Sequence, residues 1–209
     1  MRRPPTLKTS EVFASIQGEG LRQGEPTIFV RLAGCNLRCS FCDTKRAWGR
    51  GRVQTVVQVM EDIRRLWRDF PARWVCLTGG EPLAQDIEPL IRELRKDGLS
   101  IQVETNGTFD SRPAADWYTV SPKPPSYTFR PGLKKKAREV KLVATRELTS
   151  EAVRAVRRAF PAATPIILQP QSNSAWSRRK AIKLLDGALR EGLENIRISV
   201  QLQKIFNLK

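Results

Sequence analysis

The chain predicts an α/β protein, built from strand–helix units around a largely parallel sheet. Two patterns carry that expectation. Short apolar runs alternate with longer stretches of helical periodicity, and several of the runs end in small, turn-forming segments such as TGGEP, ETNG and SPK. The length of 209 residues, 40% of them apolar, suits one domain with a real hydrophobic core.

In chain order the candidate strands are EVFASI, TIFVRLA, RWVCLT, LSIQVET, WYTVS, EVKLVA, PIILQP and NIRISV. The first clear helix opens at Thr55, where Thr55 and Gln58 have the spacing of a capping box. Val56, Val59, Met60, Ile63, Trp67 and Phe70 then mark its apolar stripe. A second helix presents Ile87, Leu90, Ile91 and Leu94 on one face and stops at Gly98 in a left-handed cap. Ser150 is expected to cap a third, with Val153, Val156 and Phe160 inward, and a fourth covers Ala175 to Arg190 before Gly192. The segment SPKPPSYTFRPGLKKK is rich in proline and basic residues, so it is expected to be a loop or lid. No internal repeat or composition break demands a second domain.

No apolar run is long enough to cross a bilayer, and MRRPPTLKTSE lacks the apolar stretch of a secretory signal. A soluble, cytoplasmic protein is expected. The net charge is +16. A polyanionic partner such as RNA is one reading of that excess. The cations are spread along the chain without interleaved aromatics, however, which favours a solvated cationic surface. Histidine is absent. Any metal must therefore be held by sulfur or oxygen, and proton transfer must use Lys, Glu, Asp or water.

The stretch RLAGCNLRCSFCDT places three of the four cysteines, Cys35, Cys39 and Cys42, at C-x3-C-x2-C spacing. A structural zinc site wants four ligands, and Cys76 lies inside the apolar run WVCLT. An odd cluster of thiols likewise has no pairing logic as disulfides. Three thiolates can instead hold a 4Fe–4S cluster and leave one iron open to an exogenous ligand. Downstream, Gly79 and Gly80 at a strand end allow close backbone approach.

This spacing followed by TGGEP resembles the radical S-adenosylmethionine (SAM) superfamily. The ordered set EVFASIQGEG, GEPTIFVRLAGCNLRCSFCDT, TGGEP, VETNGT and SPK is similar to the 7-carboxy-7-deazaguanine synthase family, nearly from end to end. The resemblance implies an incomplete TIM-type (β/α) barrel with its site at the C-terminal strand ends. It also implies conversion of 6-carboxy-5,6,7,8-tetrahydropterin to 7-carboxy-7-deazaguanine with loss of ammonia, for queuosine and deazapurine biosynthesis. The implied cofactors are a 4Fe–4S cluster, SAM and Mg²⁺. The implied partners are an electron donor such as flavodoxin or ferredoxin and a second copy in a homodimer, with no direct nucleic acid and no membrane.

Carried onto this chain, the resemblance gives Cys35, Cys39 and Cys42 to the cluster and Thr44 to Mg²⁺. Phe41, Cys42 and Asp43, with Gly80, Ser121, Pro122 and Lys123, are implied for SAM, and so are Gln169, Pro170, Gln171 and Ser172. Ile16, Gln17 and Gly18 are implied at the pterin, with Arg31 on its carboxylate and Thr78 completing the pocket. Glu104 is the implied catalytic group. Related sequences often carry His where this chain has Gln203, and no role is assigned there. Two other activities share parts of the pattern. One is a radical SAM activase that makes a glycyl radical on a partner protein; the other is a basic, RNA-associated iron–sulfur module.

Overall fold

A computed structural model describes residues 3–110 and 113–208. The chain forms two compact units. One comprises the chain up to Ile16, Glu25–Thr105 and a short stretch ending at Trp117. The other comprises Gln17–Gly24, Asn106–Asp110 and everything from Tyr118 onward.

In the first unit, β1 (Thr6–Ile16) pairs antiparallel with β2 (Pro26–Leu32) and with β3 (Arg52–Thr55). The sheet then turns parallel: β2 pairs with β4 (Trp74–Gly79), and β4 with β5 (Ser100–Thr105). Central strands covered on both faces need apolar side chains throughout, and Ile28, Val30, Val75, Leu77, Ile101 and Val103 are fully buried. Helix α1 (Val56–Asp69) packs on β1, and α2 (Glu88–Lys96) packs on α1 and β5.

The expected capping box is present, with the Thr55 side chain accepting from the Gln58 N–H and the Gln58 side chain accepting from the Thr55 N–H. Val56, Val59, Met60 and Ile63 face inward, but Trp67 departs from the expected stripe at 44% exposed. Its indole lies along the surface and donates Nε1–H to the Ala72 carbonyl at 3.1 Å. Gly98 closes α2 at φ +72°, with its N–H on the Arg95 carbonyl and that of Leu99 on Leu94.

The second unit holds the parallel strands β6 (Trp117–Val120, from Tyr118 on), β7 (Ala137–Ala144), β8 (Ile166–Pro170) and β9 (Ile196–Ile198). Helix α3 (Ser150–Ala159) packs on α4 (Ala175–Arg190), and α4 lies on β8 and β9. The cap of α3 is Thr149, whose hydroxyl accepts from the Ala152 N–H at 3.1 Å; Ser150 is the first helical residue. A single turn, α5 (Leu202–Ile205), is the last element among the described residues. The loop from Ser121 to Lys136 is irregular as expected, yet Tyr127 and Leu133 anchor it in buried positions.

Candidate active site

Three of the expected site residues stand in one row. Arg31, Thr78 and Glu104 are each the penultimate residue of adjacent strands, β2, β4 and β5. Arg31 is opposite Thr78 in the parallel register, and Leu77, just before Thr78, is opposite Val103, just before Glu104. The residues preceding each, Val30, Leu77 and Val103, are fully buried, whereas the row itself is half-exposed. The sheet's apolar interior thus ends in a polar rim of one cation, one hydroxyl and one carboxylate.

Beyond β2 the chain enters the cysteine loop. Its root is fixed by the Gly34 N–H on the Ala47 carbonyl at 2.8 Å and the Cys35 N–H on Trp48 at 3.2 Å. The TGGEP turn packs against that root. Gly79 has φ +128°, and a side chain there would collide with the Leu32 backbone at 2.1 Å. At Gly80 a Cβ would lie 2.1 Å from the Gly34 carbonyl oxygen, while the Glu81 N–H donates to that carbonyl at 2.8 Å. The glycine pair therefore lets two backbones touch. Glu81 is fully buried, and its Oε1 accepts from the Leu83 N–H at 3.0 Å and the Thr105 hydroxyl at 2.7 Å.

Cys35, Cys39 and Cys42 form no disulfide and are half-exposed, and Cys76 is buried in β4. Among the described residues, no three His, Cys, Asp or Glu side chains are gathered to hold one metal ion. A 4Fe–4S cluster does not need that convergence, because each thiolate takes a different iron. The donor chemistry fits such a cluster: three soft sulfurs on one loop, with the Leu37 N–H directed at Cys35 Sγ at 3.4 Å. Burial pushes the Cys35 thiol above its ordinary range, and the nearby charges of Glu81, Cys39 and Cys42 push it further. A cationic iron centre relieves that penalty.

The loop's other expected residues are Phe41, half-buried, and Asp43, exposed. Thr44 donates its hydroxyl to Asp43 Oδ1 at 3.0 Å and accepts from Arg31 Nη1 at 3.3 Å. Two adjacent oxygen donors suit a hard cation that keeps most of its waters. Arg31 also donates Nε–H to Glu11 Oε1 at 2.8 Å and lies 5.4 Å from the centroid of the Phe13 ring. Ile16 ends β1, half-buried.

The remaining expected residues belong to the second unit. Gln17 is buried and accepts the Glu19 N–H at 3.2 Å. Gly18 leaves room for a neighbour: a Cβ there would meet the Gln203 Oε1 atom at 1.9 Å. Ser121 donates to the Lys141 carbonyl at 2.7 Å and accepts from Lys123 Nζ at 2.5 Å, with Pro122 buried between them. Gln169 and Pro170 end β8, and Gln171 and Ser172 begin the turn that follows. Gln169 is 1% exposed, and both its carboxamide atoms lack a hydrogen-bond partner. A buried group with an unused donor and an unused acceptor fits a bound polar ligand such as SAM.

Sequence reasoning missed the charges that support these residues. Glu19 accepts from Lys141 Nζ at 2.5 Å, from Gln201 Nε2 at 2.7 Å and from Gln203 Nε2 at 2.9 Å. Burial alone would raise its pKa, but Lys141 and the two carboxamides outweigh that and lower it to about 2. Glu139, fully buried, accepts from the Leu21 N–H at 2.6 Å and the Thr119 hydroxyl at 2.7 Å. The signal available in the sequence was the alternation E-V-K in β7, which puts Glu139 and Lys141 on one face.

The chain as a whole is similar to known proteins. Residues 29–174 match the Radical SAM superfamily. A 7-carboxy-7-deazaguanine synthase from Aquifex aeolicus is 36% identical over 219 aligned positions, covering 100% of this chain and 98% of that one. One from Hyperthermus butylicus is 46% identical over 127 positions, 56% of this chain and 52% of its own length. A crystal structure of QueE from Escherichia coli superposes with a TM-score of 0.78 at 30% identity, covering 94% of each chain. The radical-SAM-type α/β fold, the incomplete barrel expected above, is therefore shared across almost the whole length. With its cysteine loop, its glycine-paired turn and its row of strand-end polar groups, this chain belongs to the 7-carboxy-7-deazaguanine synthase family of the radical SAM superfamily.

Proposed function

We infer that this chain is a radical SAM lyase that converts 6-carboxy-5,6,7,8-tetrahydropterin to 7-carboxy-7-deazaguanine and ammonia. The observation that supports this most directly is the run of β2 into the cysteine loop, which sets the half-buried Arg31 guanidinium shortly before three thiols that form no disulfide. When bound, the cluster and SAM supply one electron and a 5′-deoxyadenosyl radical. Cys35, Cys39 and Cys42 are the proposed cluster ligands. Phe41 and Asp43 line the adenine and ribose side of SAM. Gly80, Ser121, Pro122, Lys123 and the Gln169, Pro170, Gln171 and Ser172 stretch hold it elsewhere, the unpaired Gln169 carboxamide offering one donor and one acceptor.

Arg31 binds the substrate carboxylate, for which a planar guanidinium is the best-matched side chain. Ile16, Gln17 and Gly18 present backbone and amide groups to the pterin, and Thr78 closes the pocket. Glu104, on the same strand-end row, is the group that exchanges a proton as the substrate loses hydrogen at C6, rearranges and expels its amine. Thr44 takes Mg²⁺, with Asp43 Oδ1 3.0 Å from its hydroxyl. A low-potential carrier such as flavodoxin or ferredoxin, cytoplasmic and separate from this chain, is the proposed electron source, and the working form is a homodimer. Among the described residues no helix is long and apolar enough to cross a membrane.

The test is anaerobic reconstitution with iron and sulfide, then incubation with SAM, reductant and the carboxypterin alone. Appearance of the deazapurine chromophore is expected. SAM cleavage without that product would point to an activase that needs a protein partner. Salt-sensitive RNA binding without SAM cleavage would point to an iron–sulfur binding module. For the cation, Thr44→Val is expected to abolish stimulation by Mg²⁺; unchanged metal dependence removes Thr44 from the site.

A further inference from the structure

Arg31 does not stand alone. It is directly opposite Glu11 in the antiparallel β1–β2 register, and its Nε–H meets Glu11 Oε1 at 2.8 Å. Arg46, from the turn after the cysteine loop, donates Nη2–H to the same Glu11 oxygen. The side chains of Arg31 and Glu11 are only 17% and 13% exposed, whereas that of Arg46 is 60% exposed. The Phe13 ring lies beneath the Arg31 guanidinium and stacks on Phe29 with centroids 5.1 Å apart. One guanidinium is thus held from the side by a carboxylate, from below by an aromatic face, and at Nη1 by contact with Thr44.

Glu11 is shared between the half-buried Arg31 and the exposed Arg46, so the Arg31 guanidinium keeps donors for a second anion. Fixing Nε and the ring plane also removes most of the freedom of a long side chain, so little is lost when the free edge meets its ligand. We propose that Glu11 is a positioning residue for the reaction: it holds Arg31 in the pose that binds the substrate carboxylate, with Arg46 sharing the same Glu11 oxygen. This rests on the assignment of Arg31 under the proposed function. It adds that selectivity for a carboxylated pterin is set by a residue on a neighbouring strand, outside the cysteine loop.

Positioning and simple charge balance predict opposite orders for two substitutions. Both guanidinia bond to Oε1, an oxygen that Glu11→Gln retains at the same reach. Glu11→Asp keeps the charge but draws the oxygen back by one methylene. Positioning therefore requires Glu11→Asp to be the more harmful of the two.

The experiment measures KM, kcat and equilibrium binding for the 6-carboxy and 6-carboxamide tetrahydropterins. The reconstituted holoenzyme is used as wild type, Glu11→Asp, Glu11→Gln, Arg31→Gln and the double variants Arg31→Gln/Glu11→Asp and Arg31→Gln/Glu11→Gln. For the carboxylate, Glu11→Asp is expected to raise KM and Kd about tenfold and Glu11→Gln about threefold, kcat being nearly unchanged. The carboxamide should lose much less than the carboxylate in every variant, and Glu11→Asp should add nothing once Arg31 is gone. If Arg31→Gln costs carboxylate binding while Glu11→Asp does not, or if Glu11→Gln is the worse variant, the positioning role is overturned and the Arg31 assignment stands. If Arg31→Gln leaves the preference for carboxylate over carboxamide intact, both are overturned. Should Glu11→Asp fail to fold, an additive effect of Glu11→Gln on top of Arg31→Gln overturns the proposal equally well.

Discussion

Glu19 and Lys141 illustrate how single residues hold this chain's second unit. Their side chains are 14% and 7% exposed, and 122 residues separate them in sequence. Removing one partner of such a pair strands the other's charge, and Lys141→Met is expected to lower unfolding free energy by about 3–5 kcal/mol in urea titrations. The acid side follows from linkage. The Glu19 pKa in the folded chain is about 2, below its usual 4.5, so the stability it confers is complete above 4.5 and is lost as pH falls toward 2. In Lys141→Met that loss should set in at higher pH, a shift measurable by following unfolding through the acid range. The same distance in sequence explains what could be read beforehand. The strand-end placing of Arg31, Thr78 and Glu104 was legible because each sits in a short motif where an apolar run stops. Glu11, Arg46, Gln201 and Gln203 were not, because an ion pair or carboxamide contact between distant segments leaves no periodic or spacing signal.

At the scale of elements, local chemistry decides most boundaries, and the exceptions have local reasons. The Thr55 capping box and the left-handed glycines at 98 and 192 stand where their residue types require. Ser150 was expected to cap the third helix, one residue late, because serine and threonine are comparably good caps. The structure places Thr149 in extended backbone, with its hydroxyl on the Ala152 N–H. Thr149→Ala is therefore expected to cost about 1 kcal/mol and Ser150→Ala less than about 0.5 kcal/mol, compared by denaturant midpoints at constant slope. The strand β3 and the turn α5 went unread for a different reason. β3 pairs on one side only, with β1, and keeps Arg52 and Val53 exposed, so it lacks a full apolar alternation; α5 is a single turn. The N-terminal part of β1 was missed because one of its two inward residues is Thr9, a polar side chain satisfied by the Arg52 carbonyl and the Gln54 side chain.

For the whole molecule, the dominant unexplained quantity is charge: 37 Lys and Arg against 21 Asp and Glu, a net of +16. The anions present are already engaged where it matters. Arg64 binds Asp97 through two nitrogens, and Arg154 binds Glu191 in the same way, yet both pairs are largely solvent-exposed. Exposed pairs of this kind are worth about 0–1 kcal/mol each, so salt has little to weaken there. Mutual repulsion among the surplus cations, such as Lys134 and Lys135, opposes the compact state and is screened as the Debye length shrinks to roughly 8 Å at physiological ionic strength. The two effects have opposite signs, and the excess charge should win. Thermal unfolding of the anaerobically reconstituted protein is expected to move to higher temperature from low to physiological potassium chloride. Matching the ionic strength with potassium acetate should reproduce the rise if screening is the cause. A midpoint that falls with salt would mean that the exposed ion pairs, rather than repulsion, dominate the surface. A rise confined to one anion would mean that the cationic surface binds that anion specifically.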